Sequence, residues 1–343
     1  MLTLTDEGLA RFAATVLGGP PSAAIQMPGG ASTRTYHRVR RGDRSIVVMF
    51  VPDTKPDEVT SGEARARWPF LEVHALLDAS GVRVPKVLAE ACEQGLLALE
   101  DLGDETLAAF LEASPDRREE IYRAAVRDLA HAQKRLEPLP EGSIVATRAF
   151  DETLLLWEIE HFREWGLEAR GIELSVQDRA SFDAIAARLA ARVAALPRSF
   201  VHRDYQSRNL MVIRNGDGAE LVWIDFQDAL LGPQVYDLVA LLGDSYQEFT
   251  RFFIDTCLDE FVRARGIESE RERVGLEFDL VTVQRKLKDA GRFVFIDRVK
   301  KNPDYLPFVD PTIDKVMRSL ERLRSDEDMR TLAEMLKRVL RRD

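Results

Sequence analysis

The chain has 343 residues, 45% hydrophobic and 31% charged, with a formal net charge of −10. That balance belongs to a folded globular protein large enough for two structural units, and it excludes a disordered chain. The acidic surplus also argues against a protein that works by neutralising many phosphates on DNA or RNA. No apolar run approaches the ~18 residues of a membrane span, and Met1 to Ala10 carries Asp6 and Glu7 where a signal peptide would carry Lys or Arg. A cytoplasmic protein with no membrane or nucleic-acid partner is expected. Cys92 and Cys257 have no Cys or His neighbours at metal-ligand spacing and read as reduced thiols.

In chain order, the pattern predicts an amphipathic helix over Thr5 to Leu17, then short strand-like runs separated by turns. Ile46 to Val51 is a continuous apolar run. Gly95 to Leu99 is a second, short enough for a buried strand, with a helical stretch from Glu63 to Leu77 and the punctuation of Gly81 and Pro85 between the two. From Asp104 the pattern turns helical, with segments over Arg117 to Arg135, Asp151 to Ile172 and Ser181 to Leu196. A hairpin interrupts them: Leu210 to Ile213, the turn Asn215-Gly216-Asp217-Gly218, then Glu220 to Phe226. Met329 to Arg342 reads as a packed terminal helix with a solvated basic face.

The chemistry gathers around that hairpin. His202-Arg203-Asp204 is followed by Asn209, five positions beyond Asp204, and by Ile224-Asp225-Phe226, whose Asp225 lies sixteen positions beyond Asn209. Phosphoryl transfer needs a carboxylate that orients the attacking hydroxyl and takes its proton, and hard oxygen ligands that hold magnesium on the nucleotide. Asp204 suits the first role; Asn209 and Asp225 suit the second, with ATP and Mg²⁺ as cofactors. The competing reading, Asp204 as a loop carboxylate paired with Arg203 or Arg208, is disfavoured because strand, loop, hairpin and Asp-Phe occur in the order the chemistry requires. Asp228 reads as a cap of the following turn. Asp237 reads as a structural carboxylate accepting backbone N–H groups at a helix start.

These motifs resemble the aminoglycoside phosphotransferase and choline kinase-like family, in which His202-x-Asp204, Asn209 and Ile224-Asp225-Phe226 stand at the motif positions. The resemblance covers nearly the whole chain. It implies an α+β, protein-kinase-like bilobal fold: a small β-rich N-terminal lobe over 1–103, with a hinge at about 99–103, and a larger, mainly helical lobe over 104–343. Pro28-Gly29-Gly30-Ala31-Ser32-Thr33-Arg34 resembles the family's phosphate-covering turn, and Leu97 to Gly103 its hinge, where backbone at Glu100, Asp101 and Leu102 would meet adenine. Within the family, Asp225-Phe226-Gln227-Asp228-Ala229, Gln284 to Lys288 with Gly291-Arg292-Phe293, and Tyr305-Leu306-Pro307-Phe308 resemble the bacterial anomeric kinases of N-acetylmuramate and N-acetylglucosamine. That implies phosphorylation of a sugar at C1 in peptidoglycan recycling, by a monomer or homodimer.

One departure stands out. The strand Ile46 to Val51 lacks the lysine that usually binds the α- and β-phosphates, and Met49 sits near its place. Arg34 or Lys55 is the expected substitute, with Glu72 as partner of such a cation. Glu158, His161, Arg208, Gln227 and Arg292 are the candidate sugar contacts, and Arg285, Lys288 or Arg292 would meet a lactyl carboxylate. Trp157 is expected to face the core. The alternatives are a kinase of an aminoglycoside, choline or homoserine and, in a different class, a nucleotide-binding regulator without catalysis.

Overall fold

The computed structural model describes residues 2–28, 33–52, 68–216 and 218–341. The chain divides into two compact units, Met1–Ala113 with Arg208–Gln227, and Ser114–Ser207 with Asp228–Asp343. The first unit therefore runs ten residues beyond the expected boundary at 103, and it takes in the hairpin expected in the C-terminal lobe.

Helix α1, Asp6–Leu17, is capped by Thr5, whose hydroxyl accepts the Gly8 N–H at 3.0 Å. Strands β1 (Ala23–Gln26), β2 (Thr35–Arg41) and β3 (Arg44–Phe50) follow, then α2 (Pro69–Ala79), β4 (Val87–Ala91), β5 (Leu96–Glu100) and α3 (Leu107–Ala113). The five strands form one antiparallel sheet in the order β1-β2-β3-β5-β4. Alternation along β3 sends Ile46, Val48 and Phe50 against Leu9, Phe12 and Leu17 of α1, forming one apolar cluster. Met49 points to the opposite face and is buried there. The helix expected over Glu63 to Leu77 begins at Pro69 within the described residues; Glu63 to Arg67 lie outside them.

The second unit opens with α4 (Arg118–Arg135), α5 (Ile144–Thr147), α6 (Glu152–His161) and α7 (Val176–Ala194), then β6 (Arg198–Val201). The chain enters the first unit for the hairpin β7 (Leu210–Asn215) and β8 (Gly218–Trp223), paired in register from Leu210 with Trp223 to Asn215 with Gly218. There the hairpin is tied down by Val212 N–H to Glu105 C=O and Trp223 N–H to Arg83 C=O. In the second unit again come β9 (Leu230–Pro233), antiparallel to β6, then α8 (Tyr236–Leu242), α9 (Arg251–Arg265), α10 (Arg271–Lys300), α11 (Val309–Arg322) and α12 (Glu327–Val339).

Helix α10 is the spine of this unit, buried along most of its length. Gly291 is what lets it approach the end of α6, because a Cβ there would stand 2.8 Å from His161 O and 2.9 Å from Phe162 Cα. Beyond His161 the chain widens into a π-turn over Phe162–Leu167, so residues after 161 do not keep the face that α6 set.

Candidate active site

In the second unit, β6 delivers Val201 into the loop that carries Asp204. Arg203 has φ of 77°, left-handed for a residue with a side chain, a conformation that persists only where surroundings enforce it. Asp237, buried at the start of α8, supplies that enforcement. It accepts His202 N–H at 2.6 Å and Arg203 N–H at 3.1 Å. As expected, Asp237 accepts backbone N–H groups, but those of the Asp204 loop rather than of its own helix. Burial pushes its carboxyl up, to about 7, against the two N–H donors and Arg285. Asp244 grips the other end of the loop, accepting Ser207 Oγ at 2.7 Å, and the Tyr205 hydroxyl donates to Ala125 C=O at 3.0 Å.

Asp204 meets a further cation besides Arg203, whose charge also acts on it. Arg285, 3% exposed on α10, donates from Nη2 to Asp204 Oδ1 at 3.3 Å and from Nη1 to Arg203 C=O at 2.7 Å, with its guanidinium 4.6 Å over the Tyr236 ring. Arg285, one of the three candidate cations for a lactyl carboxylate, thus has both prongs on the Asp204 loop. Burial pushes the Asp204 carboxyl up, but Arg285, Lys288, Arg203 and His202 outweigh it and hold the group below its ordinary range. The side chain is nevertheless 49% exposed. The Asp204 carboxylate is thus surrounded by protein cations yet reached by solvent, as a base open to an acceptor must be.

The sugar candidates on this unit divide. Glu158 is buried and accepts Gln284 Nε2 at 2.8 Å, yet its charge acts on Arg203, Arg285 and Lys288. Trp157, expected to face the core, is 56% exposed and stacks at 5.5 Å on His161, which also touches Trp165 and Phe295. Spacing of four places Trp157 and His161 on one side of α6 but cannot tell an exposed edge from a buried stripe. His161 is pushed down to about 4 by burial, then by Arg292 and Lys288, and its buried Nε2 has no hydrogen-bond partner among the described residues.

A stability prediction follows from His161. Because the folded protein binds the His161 proton less readily than the unfolded chain, whose value is near 6.5, stability is complete above that value and declines as pH falls toward 4. The loss is on the order of 2 kcal/mol. His161→Phe fits the aromatic surroundings and should flatten the difference between thermal midpoints at pH 7.5 and pH 5. Parallel profiles for the two proteins would contradict this.

The hairpin's own residues lie in the first unit. Ile224 N–H donates to Asn209 C=O at 3.1 Å, continuing the ladder by one step, which sets Asn209 beside the Ile224-Asp225 corner. Asp225 has φ of 63° and accepts Gln227 Nε2 at 2.9 Å, so Gln227, a sugar candidate, contacts the expected metal ligand instead. Phe226 is fully buried against Phe70 of α2, with ring centroids 4.9 Å apart, fixing the corner. An amide oxygen and a carboxylate at one corner are the hard donors magnesium takes. Among the described residues no cluster of three or more His, Cys, Asp or Glu could hold a metal; two protein ligands fit an ion that keeps waters and phosphate oxygens for the rest.

Arg34, Met49, Phe70 and Gln227 line one narrow cleft. Tyr36 beside it has its hydroxyl pushed up by burial, pulled back by Arg34 and raised again by Asp225. Arg34 and Asp225 thus act on a common neighbour. Gly29, Gly30 and Ser32 of the expected phosphate turn, and Lys55, lie outside the described residues; Thr33 is exposed. At the expected hinge, Glu100 N–H is already bonded to Lys86 C=O at 2.9 Å and its side chain pairs with Arg83 at 2.7 Å. Asp101 binds Arg38 at 2.9 Å and Ser45 Oγ at 2.5 Å. Those side chains clamp β2, β3 and β5, leaving Leu102 as the expected hinge residue without such a task. Arg208 is exposed on the short turn before β7.

The profile of the phosphotransferase enzyme family called APH matches residues 24–276. The chain belongs to that family. An N-acetylmuramate/N-acetylglucosamine kinase of Pseudomonas aeruginosa is 33% identical over 293 residues, 84% of this chain and 80% of that one. One of Neisseria meningitidis serogroup B is 34% identical over 273 residues, 77% and 75% of the two chains. Among solved structures, the GDP complex of wild-type aminoglycoside 2'-phosphotransferase-IIIa superposes with a TM-score of 0.59 over 90% of this chain and 98% of that one, at 15% identity. An ethanolamine kinase of Plasmodium vivax gives 0.57 over 92% and 89%, at 11%. The expected α+β kinase-like fold is therefore shown. As a member of the APH family the protein is a phosphotransferase, and no described helix is long and apolar enough to cross a membrane.

Proposed function

We propose that the protein phosphorylates the anomeric C1 hydroxyl of N-acetylmuramate, N-acetylglucosamine or both, with ATP as donor. The observation that carries the catalytic part is Asp204, ionised by its cations and open to solvent. The sugar part is supported by the relatives of that name over most of the chain.

Asp204 orients the C1 hydroxyl and takes its proton as the new O–P bond forms and ADP departs with the electron pair of the broken bond. A reducing sugar's C1 hydroxyl is more acidic than an ordinary alcohol, so a carboxylate held below its usual range is a sufficient base. Asn209 and Asp225 would hold magnesium, which neutralises charge on the transferring phosphate when bound. Arg34 takes the phosphate-facing role that Met49 leaves open on β3, the unit 2–113 with its hairpin serves the nucleotide, and the helical unit serves the acceptor. Cationic acceptors such as aminoglycosides or choline call for an acidic or aromatic recess, whereas Asp204 is ringed by Arg203, Arg285 and Lys288.

The test is ATP-to-ADP turnover with magnesium against N-acetylmuramate, N-acetylglucosamine, glucose, choline and kanamycin, with phosphorus NMR of the product. A sugar 1-phosphate resonance is expected. Turnover with amine acceptors alone would overturn the substrate.

A further inference from the structure

One face of the helical unit is built from groups that proton transfer at Asp204 does not use. On α10, Arg285, Lys288, Arg292 and Phe295 follow at intervals of three, four and three, which places them on one side, each about 4.5–6 Å further along the axis. Arg285 is committed to the catalytic loop. Lys288 pairs with Asp289 at 3.2 Å and feels the charge of Glu158, but Asp289 also holds Lys286 at 2.8 Å and Arg285 at 3.8 Å, and Glu158 acts on Arg203 and Arg285 as well. Arg292 makes no ion pair or hydrogen bond among the described residues; its guanidinium lies over the Phe295 ring at 4.9 Å. Near it lies His161, whose buried Nε2 lacks a hydrogen-bond partner among the described residues and whose ring stacks on exposed Trp157. Lys288 acts electrostatically on both Asp204 and His161, and Arg292 on His161, so the face leads from the base, through Lys288, to Arg292.

Two cations four residues apart on one helix face repel, and a carboxylate ligand would relieve that repulsion while taking charge-assisted hydrogen bonds from both. We infer that Lys288 and Arg292 form a carboxylate subsite for the acidic side group of the acceptor, with exposed Trp157 covering the sugar's apolar face, and that this pair selects N-acetylmuramate over N-acetylglucosamine. The inference rests on the sugar-kinase reading above. The two sugars share the C1 hydroxyl and the acetamide and differ by the lactyl ether on C3, so its carboxylate is the strongest handle by which a protein can tell them apart.

The first test uses the wild-type protein with N-acetylmuramate and its lactyl methyl ester. Esterification should lower kcat/KM about tenfold or more, chiefly through KM, because a charge-assisted pair is lost. The second compares Arg292→Gln with Arg292→Lys: the ratio of kcat/KM for N-acetylmuramate to that for N-acetylglucosamine should fall about tenfold in the first and largely recover in the second. If the ester is as good a substrate as the acid, the subsite is wrong although the sugar-kinase reading stands. A ratio within about twofold of wild type in Arg292→Gln sinks it equally. If wild type phosphorylates neither sugar, the functional reading fails and the subsite with it.

Discussion

Asp204→Asn should lower kcat about 10²–10⁴-fold while leaving nucleotide affinity within about twofold of wild type. The amide keeps the shape of the carboxylate, so Arg285 Nη2 can still donate to it, and the loop remains held by Asp237 through His202 and Arg203 and by Asp244 through Ser207. What disappears is the ability to take a proton. Asp204 also raises the Asp237 carboxyl by like-charge repulsion, and the substitution relieves that repulsion while removing the negative charge opposite Arg285. The two effects oppose, so the thermal midpoint should move by no more than about 2–4 °C, the equivalent of ~1 kcal/mol in a domain of this size. Single-turnover chemistry separates the outcomes: a slow chemical step with normal nucleotide binding is expected, whereas turnover within tenfold of wild type would remove Asp204 from the role of base.

Why was Asp204 legible and its support not? The loop and hairpin are local: Asp204, Asn209 and Asp225 are spaced by a strand, a turn and a returning strand, and hairpin patterning alone predicts that Asn209 and Ile224 come together. Strand β3 was equally legible, because a continuous apolar run flanked by turns has few other uses. The groups that set the electrostatics are distant in sequence. Asp237, Asp244 and Arg285 reach the loop only through the packing of α8 and α10, and sequence periodicity reports which helical face is buried without saying against what. Gln284 to Lys288 carries a usable signal, polar and charged residues placed directly after the mainly apolar stretch Leu280 to Val283, since charge on a buried face needs a partner. Read that way, the run points to a paired interior cluster, and Arg285 belongs to the base rather than to the substrate. Trp157 differs for another reason: it stands on the regular part of α6, and the spacing of apolar residues shows that a stripe exists without showing which of its edges is exposed. At the hinge, Glu100 and Asp101 were read for their backbone, and nothing local reveals that their side chains bind Arg83 and Arg38.

Removing that buried cation should separate its two tasks. Arg285→Gln is expected to destabilise the protein by about 3–5 kcal/mol, the usual cost of leaving a buried ion-pair partner uncompensated. Arg203 C=O loses a 2.7 Å donor, and the ring of Tyr236 loses the guanidinium 4.6 Å above it. The second effect is on the pH profile. In the wild-type protein burial raises the Asp204 carboxyl and Arg285 is the largest of the influences opposing it, so the group lies below its ordinary value. Without Arg285 that opposition shrinks and the carboxyl titrates at higher pH. The acid limb of kcat/KM, which reports ionisation in the free enzyme, should therefore move upward. Arg285→Lys keeps a charge but not the two-pronged contact with Asp204 and Arg203; it should return the limb most of the way while kcat stays depressed, because the loop is still loose. A purely structural role for Arg285 would lower stability and kcat in both variants and leave the acid limb of each superimposed on wild type.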